Sequence, residues 1–188
     1  MEDLKILFSV AKMLGENDLV LNHGRQVARL SCAIAKKMKY SDKKIKYVHF
    51  AAVAHDIGKI KVPAEILHKP GILSAQELAV MRKHPELGFR ILEEMETEPL
   101  VARVAFQHHE RMNGSGYPLG LRGKEILHEA RIVIVADVVA AMVFDQPYRP
   151  ALKMEVALAE IKQGSGPLYD PEIVATASLI IEKEHFKF

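Results

Sequence analysis

Apolar residues recur along this chain at helical spacing. Leu4, Leu7, Phe8 and Ala11 form one stripe, which ends at Gly15. Val20, His23, Val27, Leu30, Ile34 and Met38 form a second, whose one polar member is His23. Ser41 or Asp42 caps a third helix running towards His55. Ser74-Ala75-Gln76-Glu77 is a capping-box pattern that starts another. His84-Pro85 should interrupt that helix, because a residue before proline is biased away from the α region. Further helical patterns cover roughly 98–109, 129–144 and 153–163. Asp170-Pro171-Glu172 then combines an N-cap, a first-turn proline and an early acid before the last helix. Residues 131–135 alone resemble a strand, and their continuation into Ala136, Ala140 and Ala141 favours helix. The Gly- and Pro-rich pieces at 57–73, 113–123 and 164–171 read as loops. The pattern predicts an all-α helical bundle forming a single domain over 1–188, with an N-terminal helix over 1–15 and the core over 16–188.

Composition narrows the class. A chain of 188 residues, 49 % hydrophobic and 27 % charged, can bury a substantial core and does not read as globally disordered. Its net charge of +2 mixes both signs, which gives no basis for binding long nucleic acid by counterion release. A local site for a small phosphorylated ligand stays open. The single Cys32 excludes an intramolecular disulfide and a cysteine-rich zinc module. Met1 to Asp3 carry two acids and no basic run, unlike a signal peptide. The most apolar stretch, 132–144, is broken by Asp137 and too short to span a bilayer. These features read as a cytoplasmic protein that does not enter a membrane.

Seven polar residues interrupt apolar helical stretches: His23, His55, Asp56, His84, His108, His109 and Asp137. Each alone has an ordinary explanation. His23 can be a hydrogen-bonded core histidine, Asp137 can pair with Arg131, and His108-His109 can end a helix. Together, five imidazoles and two carboxylates are the ligand types that hold divalent first-row metals. The stretch "HHERMNGSGYP" follows the histidine pair with a flexible polar loop suited to close approach of a ligand. His49, His68, His128 and His185 read as surface or packing residues.

The ordered set His55-Asp56 with "GKI" following, "HPELG" at His84, His108-His109-Glu110, Gly116-Tyr117-Pro118 and Asp137 resembles an HD-GYP domain. "KPGILS" and "PYRPAL" also stand in their expected places, and the resemblance runs from "HGRQVARL" at His23 to "GSGPLYDPEIV" at 164–174. That family is a branch of the HD phosphohydrolases whose characterised members hydrolyse cyclic di-GMP. The resemblance implies a helical HD-domain bundle with a two-metal site in its core. His23, His55, Asp56 and Asp137 would hold one ion, and Asp56, His84, His108 and His109 the other, with Asp56 bridging. Ions roughly 3.5–4 Å apart can share a hydroxide and make it a nucleophile near neutral pH. The resemblance favours iron or manganese, and the donor set also accepts zinc or nickel. Lys59 is implied as the cation beside the reacting phosphate and Arg149 as a further phosphate contact. Asn113, Gly116 and Tyr117 are implied at the substrate, Tyr117 as a ring for a base whose loss should leave metal content intact.

The sequence also departs from the family pattern. Leu19 stands where a trinuclear subset carries glutamate, so two ions are expected rather than three. Asn113 replaces an aspartate of the loop, Ala140 stands where many members have aspartate, and Gln146 where many have arginine, which removes a bidentate phosphate contact. The leading expectation is a phosphodiesterase that opens cyclic di-GMP to pGpG and onward to GMP. The alternatives are a module of little turnover that binds a cyclic dinucleotide or a diguanylate cyclase partner, and an HD phosphohydrolase acting on pGpG or another cyclic dinucleotide. Oligomeric state stays open.

Overall fold

Local capping chemistry sets most of the helix boundaries. The computed structural model of the chain describes residues 18–145, 149–184, 186 and 188, with side chains from Val20 onwards. The helix expected over 1–15, Gln146, His185 and the side chain of Leu19 lie outside the described residues. Among the described residues are nine α-helices: α1 (Asp18–Lys37), α2 (Asp42–Ala54), α3 (Ala64–Leu67), α4 (Ala75–Met81), α5 (His84–Glu94), α6 (Pro99–Gln107), α7 (His128–Val143), α8 (Met154–Gln163) and α9 (Pro171–Lys183). Short 3-10 turns cover Ile57–Lys61 and Gly123–Glu125. Between described residues, β pairing is limited to isolated bridges such as Asn113 with Arg122 and Ser165 with Tyr169. The fold is an all-α bundle.

Ser41, not Asp42, caps α2, its hydroxyl accepting the Lys44 N–H. Ser74 and Glu77 close the reciprocal capping box at the start of α4. The chain leaves α4 at Met81, and α5 begins at His84 with Pro85 in its first turn, where a missing N–H costs no helical bond. Asp170 caps α9 through the Glu172 N–H. No helix among the described residues is long and apolar enough to cross a membrane.

Helix α7 explains why 131–135 looks strand-like. Ile132, Val133, Ile134 and Val135 are all buried, because α7 runs through the middle of the bundle and packs on α1, α2, α6, α8 and α9. A helix surrounded on all sides loses the polar stripe that would betray its period. Arg131 binds Asp170 (2.5 Å) and the Ile126 carbonyl (3.2 Å), so it is not the partner of Asp137.

Two glycines decide how the segment after Asp56 meets α5. A Cβ on Gly58 would lie 2.0 Å from the His84 carbonyl oxygen and 2.5 Å from the Gly88 nitrogen. Backbone therefore crosses backbone here, and the close approach brings Asp56 to His84. Alanine at Gly58 would have to push a main chain rather than a flexible side chain. We expect Gly58→Ala to destabilise the fold by about 3 kcal/mol or more. Denaturant unfolding followed by circular dichroism measures it, and an unchanged midpoint would disprove the crossing.

Candidate metal centre

Helix ends deliver three of the histidines. His55 follows α2 as its C-cap, His84 opens α5 and His108 is the C-cap of α6. Each ring Nδ1 lies against the carbonyl three residues earlier: Ala52 at 2.7 Å, Met81 at 2.7 Å and Ala105 at 2.6 Å. A carbonyl only accepts, so Nδ1 carries the proton and donates it. The lone pair is left on Nε2, which is how metal-ligating histidines are oriented by their outer hydrogen bonds.

These Nε2 atoms surround Asp56. Its Oδ1 lies 3.2 Å from His84 Nε2 and 3.6 Å from His108 Nε2, and its Oδ2 lies 3.4 Å from His55 Nε2. On the far side, Asp137 Oδ1, from the middle of α7, is 2.8 Å from His23 Nε2 and 3.6 Å from His55 Nε2. Donor atoms of Asp56, His84, His108 and His109 fall within 4.8 Å of one another, and those of His23, His55 and Asp56 do the same. Asp56 belongs to both groups.

The cluster fits metal better than it fits itself. His84 Nε2 and His108 Nε2 face each other at 3.1 Å, yet both rings have placed a proton on Nδ1. Two lone pairs that close repel unless a cation lies between them. His23 Nδ1, His55 Nε2 and Asp56 Oδ1 are buried without a hydrogen-bond partner, a costly condition that coordination would relieve.

The charge balance agrees. Burial opposes ionisation of Asp56, but Lys59 and then His55 outweigh it and hold the carboxyl well below the usual range. Burial likewise opposes ionisation of Asp137, and the His23 and His55 imidazoles beside it reverse that. Burial drives His108 down to about 4 and His109 well below its ordinary value, so both stay neutral and available as ligands. His55 resists burial and is raised to about 10, chiefly by the Asp56 charge. Two buried carboxylates recruit whatever positive charge is available.

Lys59 Nζ stands 2.5 Å from Asp56 Oδ2, on the wall of a cavity of about 580 Å³ whose floor includes His23, Asp56, His84, His109 and Asp137. Leu67, Ile72, Leu73, Leu78 and Met81 line the same cavity, as do Tyr117 and the exposed His68. His68, which reads as a surface or packing residue, is exposed and borders this cavity. The other two described histidines of that group stand as packing residues, His49 near the Cys32 thiol (3.8 Å) and His128 against the Tyr40 hydroxyl.

Glu110 stands in the sequence only as part of the His108-His109-Glu110 motif, with no role given to it, and it shapes the loop. Fully buried, it accepts the Leu119 N–H at 2.8 Å and the Leu121 N–H at 2.9 Å, one on each carboxylate oxygen. The signal was present: an acid directly after two buried histidines, ahead of a loop with amides to satisfy. Gly116 packs on the same segment, where a Cβ would come within 2.4 Å of Glu110 Cα. Asn113 is exposed and accepts the Ser115 N–H at 3.0 Å, which tightens the turn. Both residues thus have a loop-building reason for their identity.

The folded-back loop stacks the Tyr117 ring on His109, centroids 4.7 Å apart and 24° between planes, with the Arg82 guanidinium 5.3 Å from the tyrosine ring. Tyr117 is expected to meet a base and to leave metal content intact on its loss; in the fold its ring also lies against one of the candidate ligands. Arg149 has main-chain partners. It donates to the carbonyls of Ala141 (2.7 Å), Pro150 (3.1 Å) and Met142 (3.4 Å), partly satisfying the C-terminal end of α7. Ala140 is fully buried in the core.

A helical bundle with clustered histidines and aspartates at its centre defines the HD-domain class. Residues 9–173 match the HD domain family, and the chain belongs to it, in the HD-GYP branch. A Thermotoga maritima protein named cyclic di-GMP phosphodiesterase is 46 % identical over 164 residues, 86 % of this chain and 44 % of that protein. A Vibrio cholerae protein named 3'3'-cGAMP-specific phosphodiesterase 3 is 36 % identical over 153 residues, 81 % of this chain and 33 % of that one. The chain spans less than half the length of either relative. Among solved structures, an HD-GYP-like protein of Bdellovibrio bacteriovorus superposes with a TM-score of 0.73 at 24 % identity, covering 88 % of this chain and 53 % of that one. The HD domain of L. monocytogenes phosphodiesterase PgpH in complex with cyclic-di-AMP gives 0.62 at 19 % identity, covering 95 % and 99 %. These two likenesses establish the fold.

The geometry yields two expected outcomes. Asp56→Ala should lose metal from both donor groups, seen by elemental analysis of the purified protein; full loading would remove Asp56 from the shared position. Tyr117→Ala should lower metal occupancy by freeing His109, whereas Tyr117→Phe should keep it. Equal occupancy in the two variants would show that the stacked ring does not hold the ligand.

Proposed function

We propose that this domain is a metal-dependent phosphodiesterase that hydrolyses cyclic di-GMP to linear pGpG and onward to GMP. The observation that carries the reading is one buried carboxylate, Asp56, common to two donor groups on the floor of a cavity sized for a small-molecule substrate. The names of the relatives supply the cyclic dinucleotide. His23, His55, Asp56 and Asp137 would hold one ion and Asp56, His84, His108 and His109 the other, iron or manganese by family likeness. Bound there, the two ions would supply an activated water and positive charge on the phosphoryl oxygens.

The chain's own groups do the rest. Asp56 and Asp137 stay ionised and His108 and His109 stay neutral, so these four donors are ready at neutral pH, whereas His55, held protonated by the Asp56 charge, would release a proton as an ion binds. Lys59 Nζ, on the cavity wall, adds a cation beside the reacting phosphate as charge builds up on its oxygens. Asn113, Gly116 and Tyr117 bound the substrate side through the loop that Glu110 fastens. Water adds to phosphorus as the 3'-oxygen departs, which leaves a 5'-phosphate on the linear product. The reading places the domain in the cytoplasm, with a diguanylate cyclase as the partner that makes its substrate.

The position of Arg149 favours a second reading. With its donors on main-chain carbonyls, substrate grip is thinner, as in a module that binds a cyclic dinucleotide and turns it over little. Anaerobically purified, metal-loaded protein should hydrolyse cyclic di-GMP in a panel with pGpG and the hybrid cyclic dinucleotide. It should carry at most one ion for each of the two donor groups. Binding without turnover would establish the second reading, and turnover of pGpG alone would replace the substrate.

A further inference from the structure

The turn between α3 and α4 presents an isoleucine to water and holds it there. Ile72 is 94 % exposed, at the mouth of the cavity above Asp56. Single exposed apolar residues are ordinary, but this one lines the same cavity as Leu67, Leu73, Leu78 and Met81. The turn is braced from both sides. Lys69 Nζ binds both Glu77 oxygens (2.9 and 2.7 Å), Glu77 accepts the Ser74 N–H (2.7 Å), and the His68 N–H closes on Ala64 (2.9 Å). At the tip, Gly71 takes φ +109°, a backbone state that suits glycine. The order of this turn costs entropy, and its apolar tip is left almost fully exposed by the described residues.

We infer that Ile72 and Leu73 form a shelf that covers the face of one purine of a cyclic dinucleotide whose phosphodiester lies over Asp56. The inference rests on the reading under Proposed function. A phosphate group occupies a small part of a cavity of about 580 Å³, so the remainder receives nucleoside. The ionic floor suits the phosphodiester and the aliphatic wall suits a base, whose faces are apolar whatever its edge carries. Aliphatic side chains touch the face and do not read the edge. The shelf therefore accepts guanine and adenine alike and gives the site a preference for cyclic purine dinucleotides as a class.

The test uses Ile72→Asn and Ile72→Met in the full chain, with phosphorothioate analogues of cyclic di-GMP and 3'3'-cGAMP as slowly hydrolysed probes. Calorimetry on metal-loaded and chelator-treated protein should show Ile72→Asn weakening both probes about tenfold, as expected for losing part of one buried aliphatic contact. Ile72→Met should bind as wild type, and metal content should be the same in all three proteins. In turnover, KM should rise for Ile72→Asn with kcat little changed. Unchanged affinity in Ile72→Asn, loss of metal from it, or weakening confined to one of the two probes would each overturn the shelf. So would unchanged affinity together with loss of self-association in sedimentation, which would identify a second copy of the chain as the occupant. If wild-type protein binds neither probe, the cyclic dinucleotide reading fails and the shelf with it; if wild type binds and Ile72→Asn matches it, only the shelf fails.

Discussion

Everything in this fold is arranged around keeping the Asp56 carboxylate ionised away from water. An uncompensated anion at that depth would cost far more than a domain can spare. The chain answers with Lys59 on one oxygen and imidazoles from three helix ends around both. That requirement explains why α2, α5 and α6 converge by their termini, where a side chain can face inward and its ring can be anchored on the last-turn carbonyls. The crossing of Gly58 over the start of α5 follows from it too, because no side chain could stand between Asp56 and His84.

Much of this was legible in the sequence because the relevant chemistry is local. The caps at Ser41, Ser74 and Asp170 and the break at His84-Pro85 depend on residues a few positions apart, so pattern and structure agree. The seven polar residues were legible as misfits in apolar runs, and the structure brings all seven to one place. Pairings across long separations were not legible. Arg131 could serve Asp137 six positions on along the same helix or Asp170 thirty-nine positions on, and only packing chooses the latter. The same holds for Tyr117 against His109, where the loop's path decides what the ring touches.

Arg149 and Glu110 show how a polar residue in a functional neighbourhood can be absorbed by architecture. Both spend their hydrogen-bonding capacity on main-chain groups, Arg149 on carbonyls at the end of α7 and Glu110 on amides of the loop. Motif position alone cannot tell a group that meets ligand from one that holds the backbone beside it. Donor and acceptor accounting can, because a side chain already satisfied by the chain has less to offer a ligand.

The facing lone pairs of His84 and His108 carry a consequence for the life of the protein in a cell. The helix ends set both rings at this distance, so a cation between them would relieve an electrostatic repulsion that the folded chain otherwise bears. Coordination to the folded chain alone then adds stability that grows with the logarithm of free metal concentration. Scarce metal would leave a larger fraction transiently open to proteases, and abundant metal would protect it. The quantity of this domain would in that way track the supply of the ion, with no separate regulator needed.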